Sequence, residues 1–327
     1  FADESVVNLF EGTNFNVLGG SFLLSGNSSM TAYPFTQGTI IGGDFFIADN
    51  ACVTFIQSDI QIVGALSSNS TKPVQFLSNS TIVVNGAPVT ISGTSVIFIT
   101  STTFLHVING SISLFDTACI LVNDTGRVLV SGGSILTYDH SCITVSNEAL
   151  FSVTGGNVIT HDFSTFSVSD NSVVTVAANG TVGNLKLLDQ SEMTVTDSST
   201  LAVLGGNFEV AGQAHFLSQS NVNVTVVDGD VVVKDHAIFD VLAGSFLRVL
   251  DGGNFVSGGV GVQMNFDRAD THIVGGDFVS SIRSSLVATT ADFEISGNGN
   301  VLLTDISRSF LTENTNLRVF GGGNLNL

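Results

Sequence analysis

The chain has 327 residues, 43% of them hydrophobic and 11% charged, enough apolar surface for a large core and too few charges for a disordered chain. Its net charge of −19 sets 28 acidic residues against 9 scattered basic ones, which excludes nucleic acids and anionic membrane surfaces as partners. No apolar run reaches the roughly 18 residues that a bilayer span requires.

A glycine returns about every 23 residues from one end to the other. The markers are Gly19, Gly42, Gly64, Gly86, Gly110, Gly132, Gly155, Gly180, Gly205, Gly229, Gly252, Gly275, Gly297 and Gly321. Each interval is filled with Val, Ile, Phe and Thr, so each reads as one coil of a solenoid whose coils stack through main-chain hydrogen bonds. The predicted fold is all-β: a right-handed parallel β-helix (β-solenoid) of about 14 coils of about 23 residues, three strands per coil, in a single domain spanning 1–327. At roughly 4.8 Å per coil the expected rod is roughly 65–70 Å long.

The predicted elements begin with a strand from Ser5 to Phe10 and a second from Asn14 to Leu18, closing on Gly19. Apolar residues stand four and two places before most markers, as in Phe15 and Val17, Ile60 and Ile62, Val128 and Val130, Phe151 and Val153, Leu201 and Val203, Phe293 and Ile295, and Leu317 and Val319. A spacing of two is the signature of a strand with one buried face. Three residues after the marker comes another inward site, occupied by Phe22, Phe45, Ile135, Val158, Phe208, Phe255 and Phe278, with outward polar residues such as Glu209 between. A third strand lies mid-coil, for example Cys52–Phe55, Cys142–Val145 and Met193–Val195. The marker glycine supplies a positive φ at the corner, and a second glycine, as in Gly42-Gly43, relaxes it further. Arg248 falls on a slot that is apolar elsewhere, which predicts a one-residue slip that turns Leu247 and Val249 inward.

The two ends are expected to complement each other. Residues 321–327 supply one strand of a coil and 1–18 supply the other two, together about 25 residues. Thr312–Phe320 and Phe10–Leu18 match in pattern, and both lead into glycines. The expected joint comprises Phe1, Val6, Phe10, Phe15 and Val17 from one copy with Gly321, Gly322, Gly323, Leu325 and Leu327 from the next. Such strand addition is head-to-tail and generates a filament, with copies of the same chain as the principal partner.

Candidate chemistry is sparse. Cys119 and Cys142 occupy matching places on neighbouring coils, at a spacing compatible with a disulfide or with two stacked thiols; buried thiols are the preferred reading, and Cys52 has no partner on an adjacent coil. Three cysteines without CxxC spacing do not suggest a metal site. His140 and His161 beside Asp139 and Asp162, and His236 after Asp235, read as turn residues that stack because the coils do. Asp49, Asp116, Asp139, Asp162, Asp189, Asp235 and Asp305 recur at one point of the coil and read as solvated turn aspartates. No cofactor is expected, and no catalytic or metal-binding residue is assigned. Candidate N-glycosylation sites are Asn27, Asn69, Asn79, Asn109, Asn123, Asn179 and Asn223; chance alone gives about six, so glycans enter only as a second candidate partner. Of Phe45-Phe46 one ring must face outward, which makes Phe46 a candidate lateral contact.

Coil length, Gly-Gly corners and apolar ladders resemble the pectate-lyase-like parallel β-helix superfamily along the whole chain, and the Gly-Gly-Asn-Phe and Gly-Gly-Asp-Phe pieces look like repeats of secreted β-helical adhesins. Enzymes of that superfamily use clustered basic residues with calcium, or grouped aspartates on neighbouring coils, and no such cluster stands in this sequence. The expectation is therefore a non-enzymatic extracellular structural protein, a subunit of a self-assembling filament or surface appendage. A monomeric cell-surface adhesin or binding rod is the alternative, and a polysaccharide lyase or hydrolase a distant third. The chain starts at Phe1, which is read as processing, with removal of a secretion signal as the preferred explanation.

Overall fold

The computed structural model describes residues 1–179, 183–281, 283–297, 299–303, 308–312, 315–319, 321 and 324–326, with only the main chain described at 308–310, 312 and 325–326. Gly180, Asp305, Phe320, Gly322, Gly323 and Leu327 lie outside the described residues. Every regular element among the described residues is a β-strand, and the chain forms a parallel β-solenoid with three strands per coil. Among the described residues each of the three sheets contains 14 strands, which makes about 13 turns, one fewer than the glycine count suggests. The chain divides into two compact units, Phe1–Gly156 and Asn157–Leu327.

In the first unit, the coil following Ala51 shows the plan: Cys52–Ile56 lies in the first sheet, Asp59–Val63 in the second and Leu66–Ser68 in the third. Every strand pairs in parallel with its counterpart one coil away, as in Ile112↔Ile135 and Val128↔Phe151. Alternation does the rest: Val53, Phe55, Ile60, Ile62 and Leu66 are buried, while Thr54, Asp59 and Gln61 face outward. The second unit repeats this plan with Leu201↔Val224, Phe208↔Val231 and Phe216↔Phe239. Its core is richer in phenyl rings; Phe216 lies 4.8 Å from both Phe208 and Phe239, and Phe239 lies 5.5 Å from Phe255, in edge and tilted arrangements.

The corner between the second and third sheets carries the glycine signal, and it has two positions with different requirements. The outer one needs a positive φ, which Gly42, Gly132 and Gly205 provide and which Asn109 and Asp228 adopt in other coils. At the inner one a Cβ would collide with a carbonyl of the adjacent coil: on Gly133 it would sit 1.9 Å from the Gly110 oxygen, and on Gly206 2.1 Å from the Gly183 oxygen. The second glycine of these pairs is therefore a condition of coil-to-coil approach rather than a relaxation of the turn; on Gly20, in the N-terminal coil, a Cβ would meet nothing within 4 Å. Gly64, Gly110 and Gly229, read as turn markers from spacing, stand at this inner position.

Arg248 behaves as the slip predicts. Leu247 and Val249 are buried, and the guanidinium lies outside, 5.6 Å from the Phe246 ring centre. The cause is an extra corner residue, Asp251, held at a φ of 59° ahead of Gly252-Gly253.

Candidate interaction surfaces

The expected joint residues at the N-terminal coil are incompletely covered. Phe15, Val17 and Phe22 point inward but are only half-buried, in contrast to the equivalent Ile60, Ile62 and Phe45. Phe1, Val6 and Phe10 are exposed, Phe10 by 69%, with its ring stacked on Tyr33 at 5.9 Å. The Phe15 ring leans onto the neighbouring coil, where a Cβ on Gly38 would meet it at 2.2 Å, so Gly38 is the socket for that ring. At the other end of the sequence Leu317 and Val319 are half-buried, and Gly321 has a φ of 74°. Leu317 lines a small apolar cavity of about 30 Å³ with Phe278, Leu286, Phe293, Val301, Leu303 and Leu311. Leu325 contributes main chain to a short strand of the third sheet, Leu325–Asn326, paired with Val301 and Leu302.

A second apolar feature runs along the side of the first unit; of its residues the sequence reading named Phe46 and missed Leu18, Leu23, Ile41 and Val63. Leu18, Ile41 and Val63 occupy the last outward slot of successive strands in the second sheet, and Leu18 is 73% exposed. Leu23 and Phe46 stand outward in the third sheet across the Gly-Gly corner, so Phe46 is exposed by 37% while Phe45 is buried. The signal was present as apolar residues immediately before the marker glycine, where alternation puts them outside.

Cys119 and Cys142 form a disulfide, with Cα atoms 4.5 Å apart on directly paired positions. This corrects the preferred reading of two buried thiols. Each cysteine opens its strand on the outward-facing phase, half-buried, with Ile120 and Ile143 filling the core beside them. Cys52 is a free thiol at intermediate exposure.

The recurring aspartates are more than solvated turn residues. Asp49, Asp116, Asp139, Asp189 and Asp235 all have positive φ, and their carboxylates accept the N–H of Gly26, Gly93, Asp116, Asp162 and Gly212 on the preceding coil, at 2.9–3.4 Å. Asp189 also pairs with His161 at 3.2 Å. No group of three or more His, Cys, Asp or Glu side chains arranged to hold a metal ion occurs among the described residues.

Two charged clusters stand on the outer faces of the second unit. Glu209 receives Lys186 at 2.8 Å and Lys234 at 2.6 Å; burial pushes its carboxyl upward, but the hydrogen bonds and charges of the two lysines outweigh this and hold it below the usual range. The same contact raises Lys234. His215 is raised by its hydrogen bond to Asp240 at 3.0 Å, against its own desolvation and with help from the charges of Asp240 and Glu192; Asn265 donates to the other Asp240 oxygen at 2.7 Å. In the first unit His106 is lowered by burial.

Of the sequon asparagines, Asn27, Asn69, Asn79, Asn109 and Asn179 are exposed, whereas Asn123 and Asn223 are half-buried. Asn223 lies within a strand with its side-chain oxygen buried, and Asn123 accepts hydrogen bonds from Ser146 and Asn147.

No protein-family model, no curated protein and no solved structure matches the chain.

Proposed function

We propose that this chain is a non-enzymatic, extracellular structural subunit that assembles end to end, with the N-terminal coil of one copy continuing the three sheets of another. The observation that carries the reading is the half-covered apolar interior of that coil: Phe15, Val17 and Phe22 occupy core slots without core burial, and the strands bearing them present a parallel sheet edge. Edges of this kind take another strand unless they are blocked. A second copy suits the edge because coil length, strand phase and core slots agree: Leu317 and Val319 hold the same slots as Phe15 and Val17. The Cys119–Cys142 disulfide supports an oxidising compartment. Such a contact is heterologous and open, so it yields a fibre.

The experiment is electron microscopy with sedimentation over a concentration series of the purified chain. Filaments of one-coil periodicity that lengthen with concentration are expected; discrete particles of one chain at every concentration overturn the proposal.

A second reading, a surface binding rod, is favoured by one observation: Leu18, Ile41, Val63 and Phe46 point sideways, where an end-to-end joint leaves them uncovered. Glycans on Asn27, Asn69, Asn79, Asn109 and Asn179 are compatible with either reading.

A further inference from the structure

The corner between the second and third sheets contains a two-bond clamp that repeats from coil to coil with one direction. In the second unit, the side-chain oxygen of the residue following the inner glycine accepts the N–H of its counterpart on the next coil. The N–H of the following residue donates to the C=O of that same counterpart. Asn207 thus accepts from the Asp230 N–H at 2.9 Å while the Phe208 N–H donates to the Asp230 oxygen at 2.9 Å. Asp230 and Val231 hold Asn254 at 2.8 and 2.8 Å, and Asp277 and Phe278 hold Asn300 at 2.7 and 2.8 Å. Asn300 and Val301 hold Asn324 at 3.1 and 2.9 Å. In the first unit Ser21 and Phe22 hold Asp44 in the same way, at 3.2 and 2.8 Å.

Two successive rungs lack the side-chain half of the clamp. Ala65 has no side-chain acceptor, and its counterpart on the next coil is Pro88, which has no N–H to offer; only the Leu66 N–H to Pro88 oxygen bond remains, at 3.2 Å. Acceptor and donor are both missing at this rung; at the next one Pro88 offers no side-chain acceptor to Ser111, which keeps its N–H, and only the Val89 N–H to Ser111 oxygen bond forms, at 2.8 Å. The main-chain bond is thus common to all these rungs, and the side-chain bond is added where an acceptor on one coil faces an N–H on the next.

Asn324 and Ser21 stand at opposite limits of this pattern. Asn324 is the last clamp residue of the second unit, is exposed, and is followed by the Leu325 N–H. Ser21, also exposed, is the first clamp residue of the first unit and carries both an N–H and a C=O. We infer that, in the end-to-end assembly proposed above, on which this inference rests, the Asn324 carboxamide oxygen of one copy accepts the Ser21 N–H of the next while the Leu325 N–H donates to the Ser21 C=O. The partner that fits is an N-terminal coil of this same chain in a single register. A coil displaced by one residue would offer Gly20 or Phe22 main chain at the wrong phase, and its side chains would exchange inside for outside.

The test reads the critical concentration for assembly by sedimentation, with circular dichroism to confirm folding. N324A removes the acceptor and is expected to raise the critical concentration about five- to tenfold, the loss of roughly one hydrogen bond. N324D, which restores an acceptor of the kind Asp230 and Asp277 provide, is expected to return it to near the unsubstituted value. S21P is expected to cost a similar factor, and N324A combined with S21P, which copies the Ala65–Pro88 rung, less than the product of the two. If the unsubstituted chain assembles but N324A assembles equally well, or the two effects multiply, the clamp is overturned and the end-to-end reading stands. A chain that never assembles overturns both.

Discussion

The two units build the same coil with different local chemistry. The second unit secures its Gly-Gly corner with a run of Asn and Asp from Asn184 to Asn324, fills its core with contacting phenyl rings, and adds ion pairs around Glu209 and Asp240. The first unit has Ser21, Asp44, Ala65, Pro88 and Ser111 at the same corner and carries the disulfide. The main-chain stack is common to both, so the side chains at a corner are free to vary, and they add a second bond where an acceptor on one coil faces an N–H on the next. Stability in such a structure is a sum over adjacent layers.

Three measurements test whether the two units are secured in these different ways. The largest effect belongs to the first unit. Replacing Cys119 and Cys142 together by Ser releases a covalent tie across a separation of 23 residues, and a loss of about 3 kcal/mol in chemical denaturation is expected. If unfolding is unchanged, the stacked sheets alone secure that unit. The next belongs to the second unit. Asn254→Ala leaves the Asp277 N–H without its acceptor at a part-buried corner and removes the bond to Asp230, for a loss of about 1–3 kcal/mol. A negligible change would mean that water replaces the clamp at no cost. The smallest effect concerns pH. His215 is raised by Asp240, so its stabilising contribution is complete below the ordinary imidazole value of about 6.5 and is lost as pH rises through the elevated one. Thermal unfolding at pH 5.5 and at pH 8.5 should therefore differ less in His215→Gln than in the unsubstituted chain; an equal difference would remove His215 from the account.

Much of this was legible in the order of residues. Strand phase follows from alternation at Ile60 and Ile62 or Phe151 and Val153, and the slip at Arg248 follows from the same rule because only one phase can bury two aliphatic neighbours. What stayed hidden depends on distances between coils. The second glycine looks like a turn residue until a Cβ is placed against the carbonyl of the adjacent coil. The turn aspartates read as solvated because their acceptors and donors lie more than twenty residues apart. Spacing brings Cys119 and Cys142 together but does not say which way they face, and facing decides between a thiol in the core and a disulfide on the surface.

The inner corner glycines also bear on how such a chain can change over generations. From Gly43 onward most leave room for the carbonyl of an equivalent residue a layer away, so drift at a single site meets steric resistance from its neighbour. Ala87, beside Pro88, occupies that column with a side chain, where the corner's hydrogen bonding also departs from the pattern. Duplication or deletion of an entire layer, by contrast, keeps the main-chain stack, although contacts particular to two neighbouring layers, such as the Cys119–Cys142 disulfide, go with the layer that carries them. Length is then the trait that evolution can most readily adjust in this molecule, in steps of one layer at a time.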